Sequence, residues 1–206
     1  MTEATPQDRW EARYAATEGY LFGIAPNRFL ADSAAILPSH ADVLCVADGE
    51  GRNGVFLASL GHKIHAVECA PTAIAKAQRL AAQRGVTLCS EQVDVLRWAW
   101  PRETYDAVVA IFVQFVPPAS RPVFFANMVA ALRPGGVLIM QGYRPEQVGN
   151  GTGGPSDPAQ CYTETLLRES FSALTILHLH SHNAVIEEGA AHAGQSALID
   201  LIARKA

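Results

Sequence analysis

A glycine-rich turn and an acidic residue beyond it are the residues of this sequence whose types and spacing first suggest chemistry. The apolar run Val43–Val46 leads into Gly49-x-Gly51-x-x-Gly54, and a helical pattern begins directly afterwards. Glycines let the backbone approach a ligand closely, and free N–H groups at a helix start attract electron-rich atoms. Glu68 ends the next predicted strand, where a βαβ unit places a carboxylate that accepts hydrogen bonds from both hydroxyls of a ribose. The spacing predicts a site for a nucleotide-like ligand.

The elements that position this turn alternate between strand and helix. Helices are predicted between successive strands, and the strands are expected at 43–47, 64–68, 86–89, 105–112 and 137–140. This order is typical of an α/β protein with a doubly wound, Rossmann-like, mainly parallel sheet. The run 105–112 is apolar almost throughout, which indicates a central strand. Two further strands, 174–179 and 196–203, have no helix between them, so we expect an antiparallel C-terminal edge.

The length of 206 residues fits a single domain, 1–206, with a modest cover over its ligand. Residues 1–26 contain aromatic and charged side chains, and we interpret them as a lid over the ligand or as a cover for one edge of the core. The glycine- and proline-rich stretch 144–161 follows the last parallel strand. Its composition and position predict a flexible loop on the substrate side.

Charge and composition narrow the class of partner. A net charge of −4 without a basic block does not indicate binding to nucleic acid or to an anionic membrane, so we expect a small-molecule substrate. The N-terminus has no charged start followed by an apolar stretch, and no later segment is apolar enough to span a bilayer. We therefore expect a soluble, cytoplasmic protein. The oligomeric state is left open by the sequence.

The cysteines and the C-terminal histidines are the other candidates for chemistry. No two cysteines form a C-x-x-C pair, and we interpret all four as small buried hydrophobic residues: Cys45, Cys69, Cys89 and Cys161. His178, His180 and His182 alternate and therefore project from one face of a strand. Two such imidazoles can share a metal. A half-exposed strand face accounts for them without one, so the sequence predicts no metal site.

The glycine turn alone leaves the ligand undecided. Its spacing satisfies the dinucleotide fingerprint, which would suit an NAD-dependent oxidoreductase. The chain, however, has no Tyr-x-x-x-Lys pair and little room for a second nucleotide-binding half. A turn without any ligand would require Glu68 and Asp94 to fall at strand ends by chance.

Several motifs occur in a fixed order along the chain. They are Ala47–Asn53 with Leu57-Ala58, Gly61-His62, Glu68, Asp94, Leu132–Gly136, and the tail Glu187-Glu188-Gly189 to His192-Ala193-Gly194. Together they resemble the class I S-adenosylmethionine-dependent methyltransferases, most closely the small tellurite-resistance and thiopurine methyltransferase-like group. The similarity runs over nearly the whole chain.

The resemblance implies transfer of a methyl group from S-adenosylmethionine to a small molecule by in-line displacement, with S-adenosylhomocysteine as product. Within this resemblance, the glycines approach the methionine part, Glu68 holds the ribose, and Asp94 accepts from the adenine amino group. The implied cofactor-binding residues are Asp48, Gly49, Glu50, Gly51, Arg52, Asn53, Glu68, Cys69, Asp94, Val95 and Ile111.

Two positions depart from the family pattern. Cys45 stands where the first strand usually carries an acid, and Ala47 stands where the motif usually begins with glycine. The usual acid supports the turn and the ammonium group of the cofactor, so we hypothesise that Asp48 or Glu50 compensates. The same departures leave room for a second class of protein, a non-catalytic sensor that binds S-adenosylmethionine or another nucleoside.

The sequence names no catalytic base. A sulfonium methyl group is already activated, so its transfer depends chiefly on placing the nucleophile and excluding water. A hydroxyl acceptor would need a base, whereas a thiolate or an amine would not. The candidates on the substrate side, each of which also fits packing or a solvated charge, are Arg13, Tyr14, Tyr20, Arg144 and His192.

Overall fold

The computed structural model describes residues 5–189 and 192–206. Positions 1–4 of the expected N-terminal cover, and positions 190 and 191 of the motif-bearing tail, lie outside the described residues.

The strands are β1 Asp42–Val46, β2 Lys63–Glu68, β3 Cys89–Gln92, β4 Tyr105–Ile111, β5 Leu132–Tyr143, β6 Leu174–Glu187 and β7 Ala193–Lys205. The helices are α1 Pro6–Ala15, α2 Arg28–Ser33, α3 Arg52–Ser59, α4 Pro71–Gln83, α5 Arg121–Ala131 and α6 Glu164–Ser170. Short 3-10 turns cover Ala34–Ile36, Pro145–Gln147 and Pro158–Gln160.

The strands form one sheet in the order β3-β2-β1-β4-β5-β7-β6. The first five strands pair in parallel, and β7 pairs antiparallel with both β5 and β6. This topology confirms the doubly wound, Rossmann-like fold, with β4 at its centre. Because β7 inserts between β5 and β6, the antiparallel edge is formed by β6 rather than by the last strand. The chain reverses its winding between β1 and β4, where open α/β sheets bind ligands.

Two layers of apolar side chains enclose the sheet, because successive residues of a buried strand point to opposite faces. Leu44 and Val108 pack on one face with Phe124 of α5. Cys45 and Val109 pack on the other face with residues of α3 and α4. No helix of the described residues is long and apolar enough to cross a membrane.

Side-chain caps begin helices α2 and α6. The Asn27 side chain accepts from the Leu30 N–H at 3.0 Å, and the Thr163 hydroxyl accepts from the Leu166 N–H at 3.2 Å.

The prediction of the third strand at residues 86–89 is wrong. Leu88 leaves the ladder to fill the core beside α4, and the polar stretch Cys89–Gln92 forms the edge strand instead.

The four cysteines divide by environment. Cys45 and Cys161 are buried, as predicted, and Cys69 is half-buried. Cys89 is exposed, so its prediction as a buried hydrophobic residue is wrong. It lies on β3, which is an edge strand with a mostly exposed surface.

Gln147 anchors the predicted substrate-side loop 144–161 to the end of the sheet. Its side chain is buried, donates to the Gly153 carbonyl at 2.9 Å and accepts from the Ala197 N–H at 2.9 Å. Thr152 adds a bond from its hydroxyl to the Gln195 carbonyl at 2.7 Å. The loop is therefore fixed to β7 at its middle, and its flexibility stays a prediction.

Candidate cofactor and acceptor site

The glycine turn lies at the carboxyl end of β1 and leads into α3. Gly49 and Gly51 have φ angles of 58° and 85°, in the left-handed region that glycine adopts at no steric cost. A Cβ on Gly51 would lie 2.6 Å from the Cβ of Ala77 on α4, so only glycine lets the turn pack against that helix. Ala47 also has a positive φ of 49°, which is strained for alanine and explains why the family places glycine there.

Glu68 reaches the turn from the end of β2. One carboxylate oxygen accepts from the Gly49 N–H at 3.0 Å, and the other accepts from the N–H groups of Cys69 at 2.8 Å and Ala70 at 3.0 Å. The side chain is buried. A carboxylate offers about four acceptor positions, so one remains free for a ligand while the Gly49 bond is in place.

Asp48, rather than an acid on β1, supports the turn from inside. Its two carboxylate oxygens each lie 3.2 Å from the Gly54 N–H. Burial raises the pKa of Asp48 to about 7, against the opposing effect of the Gly54 N–H. Cys45 is buried in the apolar core, where burial raises the pKa of its thiol well above its usual range and keeps it neutral.

Glu50 has a different role, since it links the turn to the N-terminal segment. It is buried in an ion pair with Lys76 of α4, with Nζ 2.8 Å from its carboxylate. The same ammonium group donates to the carbonyls of Tyr14 at 2.8 Å and Thr17 at 2.7 Å. Glu50 also accepts from the Phe22 N–H at 3.3 Å. This arrangement of charges holds residues 14–22 over the turn.

The N-terminal helix α1 docks on α4. No side chain of the adjoining sequence caps α4, and Glu11 of α1 accepts hydrogen bonds from the N–H and hydroxyl of Thr72 in its first turn. Tyr14 is buried, and a Cβ on Gly49 would lie 2.8 Å from its hydroxyl oxygen. The segment therefore covers the core edge and contacts the glycine turn, and its role as a lid over the ligand stays a prediction.

Arg52 and Asn53 join the turn to distant parts of the chain. Arg52 is buried and donates through Nη2 to Glu188 at 2.6 Å, while its Nη1 has no hydrogen-bond partner in the described residues. Asn53 accepts from the Asn27 N–H at 2.9 Å, and the Asn27 side chain donates to Glu188 at 2.8 Å. Glu188 belongs to the β6–β7 turn. The glycine turn is thus fixed against the C-terminal hairpin.

An aromatic cluster lies near Arg52, at the ends of β4 and β5. The rings of Phe112 and Tyr143 stack at 4.7 Å, and His192 meets Phe112 at 4.7 Å and Phe22 at 4.6 Å. Phe112 has a positive φ of 56°, and such strain in a non-glycine residue is common at functional sites.

Two polar atoms in this cluster are buried without a protein partner in the described residues, Tyr143 OH and His192 Nδ1. Burial raises the pKa of Tyr143, Glu188 raises it further, and Arg52 lowers it. Burial lowers the pKa of His192 to about 3, with smaller effects from Arg52 and Arg13. At neutral pH the cluster therefore contains a phenol and a neutral imidazole. Buried polar groups without partners are costly, so both atoms remain available to bond a ligand or water.

The predicted adenine-side residues follow β3 and β4. Asp94 is half-exposed and accepts from the Leu96 N–H at 3.0 Å. The Val95 side chain is buried in the core, and Ile111 is half-buried at the end of β4. Cys69 follows Glu68, and burial together with that carboxylate raises the pKa of its thiol to about 12. Cys69 and Asp94 follow β2 and β3, on the side of β1 away from β4, whereas Ile111 directly precedes Phe112 of the aromatic cluster.

The substrate-side candidates separate in space. Tyr14 lies over the glycine turn, and His192 belongs to the aromatic cluster. Arg13 is exposed, with its guanidinium 4.5 Å from the Trp10 ring. Tyr20 donates to the Lys76 carbonyl at 3.3 Å. Arg144 donates to the Asn183 side chain at 2.6 Å on β6.

Four residues of the site were not predicted from the sequence: Lys76, Glu188, Phe112 and Tyr143. Lys76 lies in an otherwise apolar helical stripe, and such a lone lysine was the available indication of a buried ion pair. Glu188 belongs to the tail motif Glu187-Glu188-Gly189, but the sequence does not indicate that it pairs with Arg52. Phe112 and Tyr143 follow predicted strands, but their stacking depends on the pairing of β4 with β5.

Comparison with known proteins agrees with this geometry. Residues 43–136 match the family model described as a methyltransferase domain. Hemagglutinin 1 of Eikenella corrodens is 35% identical over 93 residues, which is 45% of this chain and 31% of that protein. The chain thus matches less than a third of the length of this curated relative.

Solved structures extend the likeness to the whole chain. One described by the words "Conversion of a Disulfide Bond into a Thioacetal Group during Echinomycin Biosynthesis" superposes with a TM-score of 0.78 and 20% identity, over 97% of this chain and 91% of the other. TehB from Haemophilus influenzae gives a TM-score of 0.74 and 18% identity, over 96% of this chain and 67% of the other. The N-methyltransferase NodS from Bradyrhizobium japonicum, in complex with S-adenosyl-L-homocysteine, gives a TM-score of 0.62 and 17% identity, over 98% of this chain and 89% of the other.

At these identities the structural likeness shows the fold alone, and the match to a methyltransferase domain covers residues 43–136, less than half of the chain. Both findings agree with the class predicted from the ordered motifs, a class I S-adenosylmethionine-dependent methyltransferase, and TehB is among the structures that share the fold.

Proposed function

We propose that the chain binds S-adenosylmethionine at the glycine turn and catalyses transfer of its methyl group to a small acceptor at the aromatic cluster. The observation that carries this proposal is the adjacency of two features. The glycine turn with the buried Glu68 lies near the aromatic cluster with its unpartnered polar atoms, and Arg52 connects them, since it follows Gly51 and its charge acts on His192.

The residues of the turn fit the groups of S-adenosylmethionine. Gly49 and Gly51 keep side chains out of the turn, since a Cβ would lie 2.8 Å from the Tyr14 hydroxyl at Gly49 and 2.6 Å from the Ala77 Cβ at Gly51. The unpartnered Nη1 of Arg52 suits the methionine carboxylate, because a guanidinium group binds carboxylates with matched geometry. Glu68 has one acceptor position free for a ribose hydroxyl, and releasing the Gly49 N–H would free a second.

Asp48, and not Glu50, takes the place of the missing acid on β1. Asp48 holds the Gly54 N–H and so supports the turn, while Glu50 is neutralised by Lys76. Contact with the cofactor ammonium therefore falls to Asp48. Its raised pKa makes that contact depend on pH, since only the ionised carboxylate attracts a cation strongly.

When bound, the cofactor would supply a methyl group on a positively charged sulfur: a nucleophile bonds to the methyl carbon, the carbon–sulfur bond breaks, and S-adenosylhomocysteine leaves as a neutral thioether. Residues 14–22 exclude water from the turn, because the Lys76–Glu50 pair holds them in place. The aromatic rings of Phe112 and Tyr143 orient the acceptor by contact area, and the Tyr143 hydroxyl fixes it by one hydrogen bond.

The residues of the aromatic cluster favour an acceptor that is already nucleophilic. His192, with its pKa near 3, is a weak base at neutral pH, and both Glu188 oxygens are engaged by Arg52 and Asn27. An alcohol requires removal of its proton during attack, whereas a thiolate, a selenolate or a neutral amine does not. We therefore propose a small sulfur, selenium or amine acceptor with an apolar body.

The test combines binding with turnover. Isothermal titration with S-adenosylmethionine, S-adenosylhomocysteine and NAD is expected to show binding of both adenosyl compounds and none of NAD. Transfer of labelled methyl to a panel of thiols, selenols, amines and matched alcohols is expected to favour the first three. Tyr143→Phe should lower kcat/KM by about tenfold or more, since it removes one buried hydrogen bond. Arg28→Gln, which alters a side chain 92% exposed, is the matched control.

The outcomes separate the alternatives. Preference for NAD would overturn the cofactor assignment. Binding of both adenosyl compounds without transfer to any member of the panel would favour the sensor. Faster methylation of the alcohols would contradict the argument from His192 and would leave the cofactor assignment intact.

A further inference from the structure

A cluster of potential metal ligands lies on the C-terminal hairpin, apart from the glycine turn. His178 and His180 on β6 and Asp200 on β7 each direct one ligand atom to a common region, and these atoms all lie within 4.8 Å of one another. His180 and Asp200 are direct cross-strand partners. The sequence showed only the alternating histidines, and pairing of β6 with β7 adds the carboxylate.

The local backbone places His178 in this cluster. The register of β6 shifts between Ile176 and His178, so Leu177 is an extra residue opposite β7. Such bulges re-aim the side chains that follow them. The Phe29 ring of α2 stacks on His178 at 5.8 Å.

Asp200 is the second observation that points to a cation. Its side chain is 8% exposed, and its oxygens accept from the Gln141 amide at 2.6 Å and from His182 Nε2 at 2.8 Å. Among residues 5–189 and 192–206, neither lysine nor arginine lies within ion-pair distance of it. A buried carboxylate is costly unless a positive charge compensates it. Each oxygen retains a further lone pair for a metal.

We propose that His178, His180 and Asp200 bind a divalent transition metal ion, with Zn²⁺ as the principal candidate. Two imidazoles and one carboxylate are the ligand set of many zinc sites, with ligand distances of about 2.0–2.2 Å. Closing the cluster to tetrahedral spacing requires the two exposed imidazoles to rotate, because the buried Asp200 is fixed by Gln141. His182 then holds the second carboxylate oxygen, as an outer partner that orients a ligand.

The ion would stand at one end of a buried hydrogen-bond chain. Gln141 links Asp200 to the Asn27 side chain, with 2.6 Å at each contact, and Asn27 donates to Glu188. Glu188 in turn holds Arg52. A cation on Asp200 fixes this chain at the hairpin, so the site serves structure rather than the methyl-transfer step.

The experiment measures metal binding by the untagged full chain and needs neither cofactor nor acceptor, so its outcome is independent of the proposed function. Titration calorimetry with Zn²⁺ is expected to give one equivalent bound. Titration with Co²⁺ is expected to give the visible absorption of a tetrahedral site. Mg²⁺ should not bind, since imidazole ligands do not suit it.

Three variants locate the site. His178→Gln, His180→Gln and Asp200→Asn should each weaken Zn²⁺ binding by more than about tenfold. The two histidines are exposed, so their replacement leaves the fold intact and keeps the test valid if Asp200→Asn fails to fold. His40→Gln, which alters an exposed histidine bonded to the Gly61 carbonyl, is the matched control and should bind as wild type. Wild-type protein without Zn²⁺ binding, or His178→Gln and His180→Gln variants that bind like the control, would overturn the proposal.

Discussion

Replacement of Lys76 by methionine tests how the N-terminal segment is held over the glycine turn. The ammonium group makes three bonds of 2.7–2.8 Å, to the carbonyls of Tyr14 and Thr17 and to Glu50, and both charged side chains are almost fully buried. Methionine keeps the length and the apolar stem of lysine. It removes the charge and leaves the Glu50 carboxylate buried without its cation.

The expected loss follows from the burial of that pair. Removing one member of a buried ion pair costs about 3–5 kcal/mol, because the other charge stays unpaired. The double variant Lys76→Met, Glu50→Gln should recover part of this loss, since no buried charge is left. Urea denaturation of wild type, both single variants and the double variant gives the coupling free energy as a double-mutant cycle.

A second measurement distinguishes loss of the segment from loss of the whole fold. Trypsin cleavage after Arg13 should accelerate in Lys76→Met if the segment undocks, because that bond is then accessible in a flexible chain. A stability loss below about 1 kcal/mol, together with unchanged cleavage at Arg13, would refute the role assigned to Lys76. Arg28→Gln, at an exposed pair, should change neither quantity.

Three further predictions concern the turn itself. Glu68→Ala should weaken cofactor binding by about 1–3 kcal/mol in calorimetry, and unchanged affinity would remove Glu68 from the site. The pKa of Asp48 is near 3.8 in the unfolded chain and about 7 in the folded protein. The folded state therefore binds more protons between these two values, and the free energy of unfolding should fall as the pH rises from one to the other. Asp48→Asn should flatten that fall in urea denaturation, and parallel curves would contradict the assignment. Gly51→Ala should lower stability by more than about 1 kcal/mol, given its φ of 85° and the clash with Ala77, and a wild-type melting temperature would argue against it.

Local patterns in the sequence predicted most of the fold. Apolar runs, capping residues and the spacing of glycines depend on neighbours within a few positions, so the alternation of strands and helices could be inferred directly. The error at Leu88 shows the limit. That residue is as apolar as a strand residue, and only the space beside α4 decides that it fills the core while Cys89–Gln92 pairs with β2.

The candidate site divides in the same way. The turn and Glu68 are predictable, because one βαβ unit brings them together. The partner of Arg52 is not, since Glu188 lies 136 positions away, and the Asn27–Gln141 contact spans 114 positions. No local period relates such residues.

The sequence by itself therefore determined the doubly wound fold and the position of the glycine turn, through short-range patterns that any folded form must satisfy. The tertiary structure alone decided what surrounds them. It placed Lys76 beneath the N-terminal segment, enclosed His192 among aromatic rings and set Asp200 opposite His180. These arrangements arise from strand order and hairpin register, which depend on packing across the whole domain.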